Sequence, residues 1–243
     1  EETPGVLPGI EFLRDYGLKR AARLSGRVLV VGGGNTAIDC ARTALRLGAG
    51  EVRLLYRRTR AEMPANEMEI VEAEHEGVRM DFLVAPVRVL RRDGRLSGLE
   101  CLRMELGEPD ASGRRSPTPI RGSEFTVEGE AVIAAIGQNT QVSELVGGRL
   151  PNFLPLGENL NLTRWQTIQV NEKNFETSVE GVFSGGDVVT GAATAIEAIA
   201  AGRKAAHAID ADVRTGKAAP EPVEFCSRKD AFRKVTADDL REG

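Results

Sequence analysis

The sequence predicts an α/β fold, in which a Rossmann-like parallel sheet carries an inserted antiparallel β-meander and is followed by a partial second α/β subdomain. Three observations predict it. A short apolar run, Arg27–Val31, leads through a glycine cluster into a helical pattern. Alternating strand patterns come next, two of them joined by Arg92-Asp93-Gly94. A second strand, glycine turn and helix begin at Gly181.

Composition bounds the class of protein. The chain has 243 residues, a formal net charge of -4, 41% hydrophobic residues and 28% charged residues, which suits one large soluble domain or two modest ones. Cys40, Cys101 and Cys226 lie too far apart for a zinc or redox CxxC site. Its weakly polar stretches fall short of the ~18–20 residues of a membrane helix, and the acidic balance disfavours nucleic acid. We therefore expect a cytoplasmic protein with no membrane or nucleic-acid partner.

The elements of the first half follow from their periodicity. A linker, Glu1–Gly9, and one or two short helices within Ile10–Leu24 are predicted to precede the sheet. The βαβα unit comprises Arg27–Val31, Asn35–Leu47, Glu51–Tyr56 and Glu67–Glu76. The predicted antiparallel strands are Met80–Arg91, Arg95–Leu106 and Ser123–Val127, with a polar loop at Gly107–Gly122.

The second half begins with Ala131–Ile136, a continuous apolar run that is predicted to be a central parallel strand. Loops dominate Gln138–Thr177, with a strand expected at Thr167–Val170. A last short strand, Gly181–Ser184, precedes a long alanine-rich helix over about Thr194–Arg214.

The segment Gly32–Ala37 (GGGNTA) matches the GxGxxA/G pattern of a phosphate-binding turn. Gly32 allows the tight turn between strand and helix, Gly34 leaves room for a pyrophosphate, and Ala37 keeps the helix close to the sheet. The helix N-terminus then offers free N–H groups to an anion. A glycine-rich turn without a ligand and a methyltransferase turn are the alternatives.

The end of the second strand separates these alternatives. NAD enzymes and most methyltransferases place an acidic residue there to hold ribose hydroxyls, whereas this chain has Arg57, Arg58 and Arg60. Guanidinium groups bind a 2′-phosphate through charge-assisted, bidentate hydrogen bonds. The arginines therefore favour NADP(H) over NAD(H), the alternative being a solvated arginine turn.

Two longer segments, Val28–Ala41 (VLVVGGGNTAIDCA) and Tyr56–Glu69 (YRRTRAEMPANEME), resemble the NADPH-binding domain of the glutamate synthase small-subunit family, which consists of flavoproteins of the pyridine nucleotide-disulfide oxidoreductase type. The resemblance continues through Met104–Asp110, Ala134–Gly137 and Gly181–Ala206. Related flavoproteins are the iron–sulfur-linked NADPH reductases and the amino-terminal electron-input part of dihydropyrimidine dehydrogenase.

The resemblance implies the organisation of the chain and its cofactor contacts. Residues 1–25 would be a linker and short helix, 26–140 an NADPH-binding domain, 141–215 the C-terminal segment of an FAD-binding domain, and 216–243 a tail. The residues implied to bind the two cofactors are Gly32, Gly34, Asn35, Thr36, Ala37, Arg57, Arg58, Arg60, Ala135, Ile136, Gly137, Gly185, Gly186, Asp187, Val188, Ala192, Thr194 and Ala195.

Within that set, the resemblance implies that Asp187 accepts hydrogen bonds from hydroxyls of FAD, while the helix from about Thr194 directs its positive end at the isoalloxazine. The alternative is that Asp187 is simply the N-cap of that helix. Glu67 corresponds to a family glutamate near the nucleotide and could equally be a helix-surface carboxylate. His75, His207 and Cys40 are expected to be surface or packing residues. No catalytic residue and no metal ligand is predicted.

The chain also departs from this family. A complete reductase needs an amino-terminal dinucleotide fold for FAD, yet only 31 residues precede Gly32, without a cysteine or a GxGxxG pattern. We therefore expect a fragment of a reductase that passes hydride from NADPH to FAD and on to iron–sulfur centres. Its partners would be the missing FAD and iron–sulfur half and an iron–sulfur acceptor or large catalytic subunit. We expect it to bind NADP(H) and to retain little FAD, with a non-catalytic NADP(H)-binding regulatory module as the alternative.

Overall fold

The computed structural model describes residues 4–109, 115–138, 140, 142 and 160–220. The chain divides into two compact units, Glu1–Gly137 and Gln138–Gly243. Residues 143–159 of the predicted loop Gln138–Thr177 lie outside the described residues, as do Cys226 and most of the predicted tail.

A parallel sheet forms the centre of the first unit. Its strands are β1 (Val6–Pro8), β2 (Arg27–Val31), β3 (Glu51–Tyr56), β4 (Arg79–Phe82) and β9 (Ala131–Ala134). Their order is β1-β9-β2-β3-β4, and every neighbouring pair is parallel. The central position of β9, between β1 and β2, confirms the prediction for the apolar run that begins at Ala131.

The helices that pack on this sheet are α1 (Gly9–Gly17), α2 (Asn35–Arg46) and α3 (Glu67–His75). The alanines of α2 lie at helical spacing on its buried face, where Ala37, Ala41 and Ala44 are fully buried against the sheet. Because alanine is small, α2 lies close to β2 and β3. The N-terminus of α2 is thereby fixed directly beyond the end of β2.

An antiparallel sheet is inserted between β4 and β9. It consists of β5 (Val84–Arg92), β6 (Arg95–Pro109), β7 (Arg115–Pro119) and β8 (Phe125–Glu128). The long strand β6 pairs with all three others. Leu99, Cys101 and Val127 pack with Leu29 and Leu55 of the parallel sheet in a second buried cluster. The inserted meander is therefore joined to the nucleotide-type sheet by a common core.

Two predictions for strands in this unit were wrong. The expected single strand Met80–Arg91 is divided, because Leu83 adopts a left-handed conformation with φ of 57°. The part before it, β4, joins the parallel sheet, and the part after it, β5, joins the antiparallel sheet. The predicted loop Gly107–Gly122 contains β7, which pairs with β6 despite two prolines because it lies at the edge of its sheet.

The predicted linker Glu1–Gly9 was also wrong in part. Val6–Pro8 forms β1, which pairs with β9 at the edge of the sheet. An edge strand tolerates Pro8 because the missing N–H can face away from the ladder. The next helix, α1, begins directly at Gly9, and residues 18–24 are not helical.

The second unit contains a short helix, α4 (Asp187–Thr190), and a long helix, α5 (Ala195–Thr215). The latter confirms the predicted alanine-rich helix, with Thr194 as its N-cap. The strands predicted at Thr167–Val170 and Gly181–Ser184 are only isolated bridges, Leu162 with Ile168, Val170 with Thr177 and Glu176 with Phe183. Their segments are too short and irregular to propagate a ladder.

Candidate functional site

The glycine turn lies at the carboxyl end of β2, and its first two glycines are required by packing. A Cβ on Gly32 would lie 2.2 Å from the carbonyl oxygen of Ala135, and Gly32 has a φ of 145°. A Cβ on Gly33 would lie 2.5 Å from the ring of Tyr56. The nearest atom to a Cβ on Gly34, in contrast, is Pro64 Cγ at 3.9 Å. Among the residues that the structure describes, no neighbour forces a glycine at Gly34, so the space above it is open to a ligand.

The N-terminus of α2 has the features of an anion site. The N–H groups of Ala37 and Ile38 donate to the carbonyl of Gly34 at 2.9 and 3.2 Å, which begins the helical ladder. The N–H groups that precede them have no helical acceptor. Gly34 provides no side-chain cap, and the first turn of α2 contains no acidic residue. The positive end of the helix is therefore not compensated by a side chain of its own.

The side chain of Asn35 makes a structural hydrogen bond that the sequence did not predict. Its side-chain oxygen accepts a hydrogen bond from the backbone N–H of Asn66 at 2.9 Å. Asn66 in turn is the N-cap of α3, accepting from the N–H of Met68 at 2.9 Å. Only the amide group of Asn35 thus remains for a phosphate, and its oxygen holds the loop from β3 against the glycine turn.

The three arginines after β3 have three different environments. Arg58 is only 9% exposed, and its Nε donates to the carbonyl of Arg115 at 2.7 Å. Arg60 pairs with two carboxylates of α3, at 2.9 Å to Glu67 and 2.6 Å to Glu74. These bonds raise the pKa of Arg60, the contact with Glu74 first and that with Glu67 second.

Arg57 differs from its two neighbours. Its side chain is exposed, and within the described part of the chain it makes no hydrogen bond or ion pair. It directly follows Tyr56, the last residue of β3, while the N–H of Gly32 donates to the carbonyl of Leu55 at 3.1 Å. An unengaged guanidinium thus stands at the end of the strand next to the glycine turn.

The loop that carries the arginines is fixed by several contacts. The hydroxyl of Tyr56 donates to the carbonyl of Glu62 at 2.7 Å, and the N–H of Ala65 donates to the carbonyl of Gly33 at 3.2 Å. The carboxylate of Glu62 accepts from the side chain and N–H of Thr59, and the side-chain bond is the main cause that lowers the pKa of Glu62. Neither Tyr56 nor Glu62 was identified as a site residue from sequence.

The carboxyl end of β9 lies at the same edge of the parallel sheet as the carboxyl ends of β2 and β3. The N–H of Ala135 donates to the carbonyl of Val31 at 2.8 Å. Ile136 is exposed, and Gly137 follows with a φ of 109° and open space where a Cβ would be. The first unit thus brings together the predicted residues of the glycine turn, the arginine loop and Ala135–Gly137, at the carboxyl ends of β2, β3 and β9. Ligands of open α/β sheets bind at such an edge.

The second unit holds most of the other predicted residues around a cavity of about 510 Å³, with Ala192 and Val188 outside its lining. Its lining consists of small and polar side chains: Gly185, Gly186, Asp187, Ala193, Thr194, Ala195, Ala198, Gly202 and Ala205. A Cβ on Gly185 would lie 3.4 Å from the Cβ of Ala201 in α5, so the glycine turn and the helix are close neighbours. Val188 lies outside this lining, and its carbonyl accepts from Ile168 N–H at 2.8 Å.

Asp187 is not the N-cap of the long helix, so that alternative is wrong. It is the first residue of α4, is exposed, and its carboxylate makes no hydrogen bond or ion pair with another described residue. The cap of α5 is Thr194, whose N–H donates to the carboxylate of Glu197 at 2.9 Å. Glu197 therefore compensates part of the positive charge at the N-terminus of α5.

The other candidate reactive groups have structural surroundings. Cys40 is fully buried, its Sγ lies 3.5 Å from the carbonyl oxygen of Gly9, and burial raises its pKa to about 12. His75 and His207 are exposed on α3 and α5. Within the described ranges, no group of three or more His, Cys, Asp or Glu residues could hold a metal ion. No helix in the same ranges is long and apolar enough to cross a membrane.

Most of the chain matches one family of known proteins. The pyridine nucleotide-disulphide oxidoreductase family matches residues 2–202. The chain belongs to this family. Its membership confirms the resemblance found in the sequence and removes the methyltransferase alternative.

Two similar proteins carry NADP(+) or NADPH in their names. The beta subunit of the NADP(+)-dependent formate dehydrogenase of Moorella thermoacetica is 48% identical over 217 residues, which cover 89% of this chain and 29% of the relative. The glutamate synthase [NADPH] small chain of Azospirillum brasilense is 42% identical over 196 residues, covering 81% of this chain and 39% of the relative. The chain thus spans less than half the length of these two relatives.

A solved structure confirms the α/β fold. Mycobacterium tuberculosis FprA in complex with NADPH has a TM-score of 0.62 and 15% sequence identity, with 91% of this chain and 62% of FprA covered. The thioredoxin reductase of T. acidophilum is similar at a TM-score of 0.59, with 17% identity, 88% of this chain and 63% of the other covered. At identities of 15% and 17%, these similarities show a shared fold alone.

Proposed function

We propose that this chain is the NADPH-binding part of a flavin-dependent oxidoreductase that passes hydride from NADPH to FAD and electrons on to iron–sulfur centres. The observation that carries the proposal is Arg57, an exposed and unengaged guanidinium at the end of β3, where NAD enzymes need an acidic residue. Beside it, the open space above Gly34 and the uncapped N-terminus of α2 fit a pyrophosphate.

The first unit would bind and orient the dinucleotide. The N–H groups at the start of α2 would hold the pyrophosphate, the amide group of Asn35 could add one donor, and Arg57 would hold the 2′-phosphate as a bidentate pair. The segment Ala135–Gly137 at the end of β9, where Ile136 and Gly137 are exposed, would border the nicotinamide. Arg58 and Arg60 shape the loop around this site and leave the direct contact to Arg57.

The second unit would hold the flavin. When both cofactors are bound, the nicotinamide supplies a hydride that the flavin accepts and releases as single electrons. Asp187 fits this role because its exposed carboxylate needs donors such as ribityl hydroxyls, and the small residues around it leave a cavity. The N-terminus of α5 would face the flavin with its positive charge reduced by Glu197.

The names of the relatives support a larger assembly. Several relatives are subunits or small chains, such as the glutamate synthase [NADPH] small chain of Escherichia coli. This chain covers 29% to 42% of the length of the relatives that have NADP or NADPH in their names. We infer that the parent protein contributes a further FAD-binding half, and that the electron acceptor is an iron–sulfur protein or a large catalytic subunit. A regulatory module without electron transfer would bind NADP(H) equally well and would not support flavin reduction when that half is supplied.

Binding specificity tests the proposal. We expect isothermal titration calorimetry to give NADPH an affinity at least about tenfold higher than NADH, because a bidentate phosphate contact contributes about 1.5–3 kcal/mol. Arg57→Ala should remove most of this preference. The matched control is Arg60→Ala, because Arg60 lies in the same loop and is already paired with Glu67 and Glu74. This variant should keep the ratio of the NADPH and NADH affinities within about twofold of the unaltered chain. Equal affinities of the unaltered chain for NADPH and NADH would contradict the proposal.

A further inference from the structure

Trp165, the only tryptophan of the chain, lies on a hydrogen-bonded turn of the second unit and is nevertheless 71% exposed. The turn is closed by a hydrogen bond from the N–H of Thr163 to the carbonyl of Thr167 at 2.8 Å. The hydroxyl of Thr163 also accepts from the N–H of Trp165 at 3.1 Å, and Gln166 adopts a left-handed conformation with φ of 61°. An ordered backbone thus holds a large aromatic ring in solvent, although burial would stabilise such a ring.

The turn is joined to the rest of the second unit on two sides. The hydroxyl of Thr140 donates to the carbonyl of Gln166 at 2.7 Å. The N–H of Ile168 donates to the carbonyl of Val188 in α4 at 2.8 Å, and the side chain of Ile168 is buried. The position of Trp165 relative to α4 is therefore set by the core of the unit.

Trp165 and α4 line a second cavity, of about 1070 Å³, which shares Asp187 with the cavity beside α5. Its walls consist of Gln138, Thr140, Thr163, Trp165, Thr167, Asp187, Val189, Thr190, Gly191 and Ala192. Hydroxyl and carboxylate oxygens supply its hydrogen-bond acceptors, among them the unengaged carboxylate of Asp187. Val189, Gly191 and Ala192 add a small apolar wall. A cavity with one aromatic surface, small apolar residues and a few acceptors suits a flat ligand that carries N–H or O–H donors.

The aromatic surface favours electron-poor rings. The face of an indole is negative, and the guanidinium of Arg164 already lies 4.7 Å from its ring centroid. The exposed part of the Trp165 ring can stack on a heteroaromatic ring. Replacing such a stacking residue by alanine weakens ligand binding by about 1–3 kcal/mol, which is about 5- to 150-fold in affinity.

We propose that this cavity binds a flat, electron-poor heteroaromatic ring stacked on Trp165, with Asp187 and the threonine hydroxyls as acceptors for its donors. The inference rests on the proposed function, which supplies two such rings, the oxidised nicotinamide of NADP+ and the isoalloxazine of the flavin. Trp165 is then a binding residue that no motif of the sequence marks, since an isolated tryptophan in a loop-rich segment has no pattern around it.

The experiment measures the access of iodide to Trp165 by fluorescence quenching in the unaltered 243-residue chain. Three probes are compared: oxidised nicotinamide mononucleotide, riboflavin, and 2′,5′-ADP, which has the 2′-phosphate without either ring. The ring that occupies the cavity should lower the iodide quenching constant severalfold and saturably, while 2′,5′-ADP should leave it unchanged. In a control chain that carries Trp165→Phe and Tyr16→Trp, the fluorophore lies on the exposed surface of α1. The added probe should not shield this tryptophan from iodide.

Calorimetry with the same ring tests the stacking contact. Trp165→Ala should weaken its binding at least about fivefold, and Trp165→Phe should retain it within about threefold, since phenylalanine also stacks. Shielding by the mononucleotide alone assigns the cavity to nicotinamide, and shielding by riboflavin alone assigns it to the flavin. If neither ring shields Trp165 up to millimolar concentrations while 2′,5′-ADP binds, the inference is overturned and the proposed function stands. Failure of 2′,5′-ADP to bind would instead contradict the proposed function.

Discussion

Tyr56 connects two parts of the nucleotide site through one side chain. Its ring occupies the place where a Cβ of Gly33 would lie, at 2.5 Å, and its hydroxyl donates to the carbonyl of Glu62 at 2.7 Å. The glycine turn and the loop that carries Arg57 are therefore held against each other. Tyr56 thus helps to set the distance between the groups that would bind the pyrophosphate and the 2′-phosphate.

We expect Tyr56→Phe to weaken the binding of NADPH by about two- to tenfold, because one hydrogen bond contributes about 0.5–1.5 kcal/mol and its loss lets the loop move away from the turn. Calorimetry with NADPH and with 2′,5′-ADP should show the same loss. The control is the other tyrosine of the chain, since Tyr16→Phe alters an exposed ring on α1. An unchanged affinity of Tyr56→Phe would mean that the ring alone positions the loop.

At the residue scale, the sequence predicted candidate site residues and did not resolve their individual environments. Gly32, Gly34 and the arginines could be proposed as cofactor contacts because their spacing along one strand, turn and helix is local. Which arginine is available depends on partners elsewhere: Arg58 donates to residue Arg115, which is 57 positions away, and Arg60 pairs with Glu74, 14 positions away. Such contacts exist only in the folded chain.

Among the elements, α2 and α3 are linked by one carboxylate. Glu76, at the end of α3, accepts hydrogen bonds from Arg42 at 2.6 Å and from Arg46 at 2.9 Å, both on α2. These two guanidinium groups, Arg42 first, lower the pKa of Glu76 from 4.5 to about 2. The ionised carboxylate is therefore favoured in the folded state, and the helix that borders the arginine loop is tied to the helix that begins at the glycine turn.

This pKa predicts a pH dependence of stability. Because the folded pKa is lower than the unfolded one, the contribution is complete above about pH 4.5 and is lost as the pH falls toward about 2. Partial exposure limits it to about 1 kcal/mol in the free energy of unfolding. Urea unfolding at neutral pH and at pH ~3 should show that Glu76→Gln lowers stability by about this amount at neutral pH and by less at the acidic pH.

Glu72→Gln, on the exposed side of the same helix, is the matched control and should change stability by less than about 0.5 kcal/mol at both pH values. A loss for Glu76→Gln that is as large at pH ~3 as at neutral pH would show that the effect does not come from the charge.

The elements that the sequence predicted well are those with a strong local pattern. β2, β3 and α2 are apolar runs or alanine-spaced helices, and their observed bounds agree with the predicted ones to within one residue. The errors concern segments whose conformation is set by pairing. Val6–Pro8 becomes a strand only because the edge of β9 is available, and Leu83 divides a continuous strand pattern with a conformation unusual for leucine.

At the scale of the whole molecule, the two units differ in how complete their sites are. In the first unit, the glycine turn, the arginine loop and the end of β9 meet within one sheet edge. In the second unit, Asp187 and the residues from Ala192 to Glu197 are exposed, and so are Ile196, Ile199 and Val213 of α5. An exposed apolar face on α5 beside an open cavity is a surface on which a further part of the protein can pack.

We therefore predict that the purified chain is colourless and binds NADPH without retaining FAD. Retention of a large flavin requires that most of its surface be buried, and the cavity beside α5, at about 510 Å³, is open and lined mainly by glycine and alanine. Absorbance spectra after passage over a desalting column measure the bound flavin, and calorimetry with NADPH measures the first unit independently. The control is a longer protein that includes the remaining length found in the relatives, which should retain FAD in a 1:1 ratio. A yellow preparation of the 243-residue chain with stoichiometric FAD would show that the second unit is complete without a further half.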